Sequence, residues 1–213
     1  MPRTRVHNLN VSLDGFAAGT HVTLGTPIGG AEQLFDRFDG RAIHGVHLAG
    51  PPFTVDKALT ATWSQGVGAE IMGRRKFGPQ IGAWQDDDWR GWWGDAPPFR
   101  TPVFVLTHHA HPDIHFDNGT SFHFIDASPE EALERAAAAA RGQDVRLGGG
   151  PSTIRQFLAA DLVDFMHLVT VPVVLGGGVS MWEGLRGVQE RFDIELVATA
   201  SGQVHQFWNR KTA

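Results

Sequence analysis

Apolar positions along the chain recur in short runs bounded by turn residues. RVHNLNVSL (5–13) alternates apolar and polar positions in places and stops at Asp14-Gly15, which predicts a first strand ending in a turn. VGAEIM (67–72) reads as a short buried strand, and TPVFVLTHH (101–109) is a continuous apolar run of the kind buried on both faces of a parallel sheet. SFHFIDA (121–127), DVRLGG (144–149) and DFMHLVTVPVVLG (164–176) are further strands, with Pro172 marking a bend or an edge position in the last. RFDIELVATAS (191–201) and QVHQFWNR (203–210) form an antiparallel hairpin around Ser201-Gly202.

Helical periodicity fills the gaps. TVDKALTATWSQG (54–66) offers Thr54 as N-cap and sets Leu59, Thr62 and Trp63 on one face. Ser128-Pro129-Glu130-Glu131 opens a helix with an N-cap serine, proline at the first helical position and a capping-box glutamate, and EEALERAAAAARG carries it to Gly142. In PSTIRQFLAA (151–160), Ile154, Phe157 and Leu158 fall at i, i+3 and i+4. AEQLFDRF (31–38) suits a short helix and HGVHLAGPPF (44–53) a loop or hairpin. Residues 73–100 begin with a brief helix and become a long excursion holding Trp84, Trp89, Trp92 and Trp93, which fits a packed excursion or a subunit contact. The order strand, strand, helix, strand, helix from 101 to 158, with hairpins closing the chain, is that of an α/β protein with a mostly parallel sheet and an antiparallel C-terminal edge.

Composition then narrows the chemistry. The 213 residues, 42% hydrophobic and 19% charged, suit a single domain. A net charge of -5 leaves no global basic field, so nucleic acid is not an expected partner. With no cysteine there is no disulfide, thiolate nucleophile or zinc-thiolate centre, and with no tyrosine there is no phenol to donate a proton. No apolar run reaches the roughly 20 residues of a membrane span and the N-terminus lacks a secretory signal, so a cytoplasmic location away from membranes is expected. His108, His109, His111 and His115 lie in a polar loop with no carboxylate at ligand spacing, so no metal site is expected there.

Two glycine triplets compete for an anion. LGGGPST (147–153) follows an apolar strand and runs into a helix beginning at Pro151, so unpaired N–H groups, close backbone approach and a helix dipole coincide. It matches neither a Walker loop nor the GxGxxG fingerprint. LGGGVSMW (175–182) leads into no amphipathic helix and reads as a strand exit near the substrate side or a subunit contact. A third stretch, Gly73-Arg74-Arg75-Lys76, sets three cations in the first turn of a helix, where they oppose its dipole unless an anion joins them. A ribose 2′-phosphate is such an anion.

SLDGFAAG (12–19), EIMGRRKFG (70–78), PVFVLTHH (102–109) and VRLGGGPSTIRQFLAADLVDFMHLVTVPVVLGGG (145–178), in this order and spacing, resemble the dihydrofolate reductase superfamily. Within it the chain is most similar to stand-alone relatives of the bacterial riboflavin-biosynthesis reductase domain. The resemblance implies a dihydrofolate-reductase-like three-layer sandwich, NADPH as cofactor and a homodimer. It places Gly73, Arg74 and Arg75 or Lys76 at the adenosine 2′-phosphate, and Thr107 and His108 beside the adenosine. Gly148, Gly149 and Gly150, with Ser152, Thr153 and Ile154, would cradle the pyrophosphate, and Asp14 would lie near nicotinamide and substrate as the catalytic candidate. Residues 20–55 and 82–100 carry no matching motif.

Two departures bear on substrate. Riboflavin-type reductases usually carry a glutamate just before the glycine loop, where this chain has Arg146-Leu147, and Asp56 is a poor match to the pterin-binding carboxylate of dihydrofolate reductase. The expected function is an NADPH-dependent reductase acting on a C=N or C=O bond of a small heterocycle of pteridine or pyrimidine type. The alternative is an NADP-binding protein without reductase chemistry. A hydrolase or transferase ranks last, because no Ser-His-Asp or paired-carboxylate spacing is evident.

Overall fold

The structure is a computed structural model that describes residues 2–36, 42–43, 46–47 and 54–212. In chain order the elements begin with β1 (Thr4–Ser12), β2 (Phe16–Ala18), β3 (Ala42–Ile43), β4 (Val46–His47) and α1 (Val55–Thr60). They continue with β5 (Val67–Gly73), α2 (Arg74–Phe77), β6 (Pro102–Leu106), β7 (Ile114–His115), β8 (Ser121–Ile125) and α3 (Pro129–Ala139). The last are β9 (Asp144–Gly149), α4 (Pro151–Ala159), β10 (Phe165–Val171), β11 (Val179–Ser180), β12 (Phe192–Ala198) and β13 (Val204–Arg210). Glu32–Phe35 is a single 3-10 turn where the sequence suggested a short helix, and the end of that segment, with most of 44–53, lies outside the described residues.

One nine-stranded sheet runs in the order β12-β13-β10-β1-β9-β5-β6-β8-β7. The six strands from β10 to β8 are mutually parallel. The β12–β13 hairpin adds an antiparallel edge on one side, as expected, and the two-residue β7 adds another on the opposite side that the sequence did not announce. Strand β10 stops at Val171, earlier than its apolar run suggests, because Pro172 cannot donate to the ladder. Helix α1 likewise covers only the first half of its amphipathic segment before a series of turns.

Strand alternation divides the sheet into two faces. On β6, Phe104 joins the large core under α3 and α4, while Val103 and Val105 join a second cluster with Met72, Phe77 and Phe122. Helix α3 starts at the expected capping box, with Ser128 accepting from Glu131 N and the Glu131 side chain accepting from Ser128 N. Helix α4 buries Ile154, Phe157 and Leu158, its apolar stripe, against that core, and full burial of each such side chain contributes about 1.5–3 kcal/mol. The tryptophan-rich excursion closes the other face: Trp93 stacks on Phe122 and Trp84 packs edge-on to Phe77.

Candidate functional site

Strands β5 and β9 are neighbours in the parallel sheet, so their C-terminal ends emerge side by side and each feeds a helix. Gly73, the last residue of β5, lies so close to α4 that a Cβ there would come within 2.4 Å of Thr153 Oγ1. The two strand exits therefore form one surface. Above it opens a cleft of about 430 Å³, within the roughly 300–1,000 Å³ range of small-molecule sites.

The floor of this cleft is the first glycine triplet. Gly148, Gly149, Gly150, Ser152 and Thr153 all line it. Nothing lies within 4 Å of the Cβ positions of Gly149 and Gly150, and Gly149 has φ +113°, which a side chain would resist. No side chain caps α4, whose N-terminus opens at Gly150 with Pro151 in its first turn. Ile154 points down into the core instead, beneath the loop. The opposite wall comes from β2 and the following turn, through Ala18, Gly19, Val22 and Ile28, and from Trp92 and Trp93 of the excursion.

The cationic run divides. The Arg74 guanidinium lies 3.7 Å over the Trp84 ring and donates to Gly82 O, away from the cleft. Arg75 lines the cleft and is held across it by donating to Thr20 O at 2.8 Å. Lys76 lines the cleft and turns inward, to a second cavity of about 70 Å³ behind the glycine loop.

Arg146 and His7 line that inner cavity, and both belong to a row of polar side chains on the sheet face opposite α3. Glu70 on β5 and Arg146 on β9 are both almost fully buried, with Nη1 3.3 Å from Oε2. The Arg146 guanidinium lies 4.3 Å over Trp63. Burial raises the Glu70 carboxyl above its usual range against the opposing pull of Arg146 and Lys76. Burial also lowers Lys76 to about 8, with Glu70 opposing and Arg146 adding to the shift. His7 on β1 is pushed down to about 3 by burial and by Arg146 and Arg5, so its imidazole is neutral. Beyond it, His167 Nε2 pairs with His205 Nδ1 at 2.9 Å and His205 Nε2 with Asp56 at 2.8 Å. Asp56 thus meets His205, Thr199 and Ser201.

The remaining expected site residues lie elsewhere. Thr107 and His108 follow β6, with His108 Nδ1 2.8 Å from Asp126, and neither lines the cleft. Asp14 accepts from Leu175 N at 3.1 Å and Gly176 N at 2.7 Å, so its carboxylate holds the second glycine triplet. The Ser12 hydroxyl and these two amides keep the Asp14 carboxyl below the usual range. Asp14 borders a separate depression with Trp182, Thr170 and Gln206. Gly178 approaches β2 so closely that a Cβ would lie 2.4 Å from Ala18 O, and the second triplet is a strap around Asp14 and β2. Sequence reading assigned Glu70 no role and marked Arg146 only as a departure before the glycine loop, although a charge inside each of two apolar strands is a signal that the two charges meet. Among the described residues no cluster of three potential metal ligands occurs, and no helix is long and apolar enough to cross a membrane.

Comparison with known proteins adds a family. The family profile of the RibD C-terminal domain matches residues 4–205. Among solved structures, the chain is similar to a Shewanella sp. PV-4 protein provisionally assigned to riboflavin biosynthesis, at 20% identity, 99% coverage of both chains and a TM-score of 0.62. It is also similar to a pyrimidine reductase-like protein of Corynebacterium diphtheriae, at 14% identity, covering 100% of this chain and 93% of the other, with a TM-score of 0.53. These likenesses establish the dihydrofolate-reductase-like fold. No curated protein matches the sequence.

Proposed function

The chain belongs to the RibD C-terminal domain family, and we propose that it is an NADPH-dependent reductase of a small heterocyclic C=N or C=O compound of pteridine or pyrimidine type. The observation that carries this reading is the cleft itself. An apolar strand delivers an open glycine loop to the uncapped N-terminus of a nine-residue helix, and basic side chains border the same space.

These residues fit a dinucleotide. Gly149 and Gly150 leave room for a pyrophosphate against the backbone, and the α4 dipole favours its charge. Ser152 and Thr153 add hydroxyl donors, and Arg75 supplies the bidentate cation that a 2′-phosphate selects. Bound there, the nicotinamide would supply hydride. The protein's part is to orient both partners and keep the reacting bond dry, which Trp92, Trp93 and the β2 wall are placed to do.

Fluorescence titration with NADPH and NADH tests the reading. Saturable NADPH binding, with NADH at least tenfold weaker, is expected, followed by NADPH consumption when dihydrofolate, pterins or quinonoid compounds are added. Absence of NADPH binding would sink it, and binding without consumption across those compounds would leave a nucleotide-binding protein lacking the chemistry.

A further inference from the structure

Among the described residues, Lys76 is the one charged side chain that borders both the cleft and the inner cavity behind the glycine loop. We infer that Lys76 supplies the proton for reduction at the floor of the cleft, with Glu70 and Arg146 as its positioning residues. The inference rests on the reductase reading.

The described part of the cleft holds two ionisable side chains, Arg75 and Lys76. A guanidinium does not release its proton at working pH, which leaves the ammonium. Lys76 Nζ lies 6.0 Å from the ring centroid of Trp93, which also lines the cleft. Glu70, which acts electrostatically on Lys76, is 1% exposed, and among the described residues its Oε1 has no hydrogen-bond partner. Among the described residues, the other charged or titratable groups around this floor are Arg146 from β9, His7 from β1 and Arg75 beside it on α2. His7 is neutral and Arg146 is matched by Glu70, and among the described residues Glu70 attracts the Lys76 ammonium while Arg146 repels it. Burial brings it to about 8, close to the working pH at which a general acid is most effective.

The step balances. As hydride adds to the carbon of a C=N or C=O bond, the heteroatom gains an electron pair. It takes a proton from Lys76 Nζ, whose N–H electrons stay on the lysine nitrogen, and the neutral amine regains a proton from water when product leaves. Asp14, the group favoured by sequence resemblance, borders a different depression and is already occupied by two amides.

The chain has three lysines, Lys57, Lys76 and Lys211, so a protein labelled with ¹³Cε-lysine gives three side-chain signals. The signal lost in Lys76→Met is expected to titrate near 8 in the intact protein and lower in Glu70→Gln. In the same variants, Lys76→Met and Lys76→Arg should keep NADPH affinity within about threefold while NADPH consumption falls about 100-fold. An ordinary titration for Lys76, or consumption that survives Lys76→Met, overturns the inference. So does a loss of NADPH affinity that matches the loss of consumption, which would make Lys76 a phosphate grip. If the intact protein binds no NADPH, the reductase reading itself falls and takes this assignment with it.

Discussion

Glu70 and Gly148 face each other across β5 and β9, and a Cβ on residue 148 would lie 1.9 Å from Glu70 Oε1. The first glycine of the triplet is therefore a glycine because a carboxylate from the next strand occupies the space a side chain needs. Gly148→Ala should lower the urea midpoint by an amount equivalent to about 1–3 kcal/mol, the usual cost of overpacking a core. It should do so by displacing Glu70 from Arg146, so Gly148→Ala added to Glu70→Ala should cost less than the sum of the single changes, a coupling that a double-mutant cycle reads directly.

The two glycine triplets should separate in binding assays. Gly150 has an ordinary φ of -73° and open space around its Cβ. Gly150→Asp is thus free of steric cost, yet sets a carboxylate where a phosphate would rest, and NADPH affinity should fall at least 100-fold, about 2.7 kcal/mol. Gly149→Asp, in a left-handed conformation, should abolish binding with some loss of stability. Gly177→Ala, also in open space, should change affinity less than about twofold.

His7 builds an acid sensitivity into the fold. Its folded value of about 3 lies below the unfolded value near 6.5, so between these pH values the unfolded chain holds a proton that the folded chain excludes. The His7 contribution is intact above 6.5 and is lost as pH falls, by about 1.4 kcal/mol per pH unit at most. Urea midpoints measured from pH 7.5 down to 4.5 should decline, and His7→Leu should flatten that decline. An unchanged slope in His7→Leu would count against this account.

Asp56 is expected to matter for stability rather than for ligand. Burial acts to raise its carboxyl, but hydrogen bonds from His205, Thr199 and Ser201 outweigh that and hold it below the usual range. Asp56→Ala leaves the fully buried His205 imidazole without its acceptor and should cost about 1–3 kcal/mol in chemical unfolding. Asp56→Asn keeps an acceptor and should cost less. Neither change should alter NADPH affinity, which the same fluorescence titration checks.

Local patterning by itself determined much of this protein. The strands at 67–73 and 144–149, the capping box at Ser128, the apolar stripe of α4 and the closing hairpin each depend on neighbours within a few residues, where periodicity and cap chemistry act. The glycine loop was legible for the same reason: strand, glycines and helix N-terminus are contiguous in the chain. Only the tertiary structure decided what the charges do. Arg74, Arg75 and Lys76 are adjacent in sequence and read as one anion site, yet a short helix points them at Trp84, at the cleft rim and at the buried Glu70–Arg146 pair. Asp14 reads as a catalytic carboxylate, yet its partners are amides 161 and 162 residues away. Glu70 and Arg146 stand 76 positions apart and meet because parallel pairing sets β5 beside β9 in one register. Such pairings depend on strand order, which no local pattern encodes, whereas the elements that carry them are local and can be read along the chain.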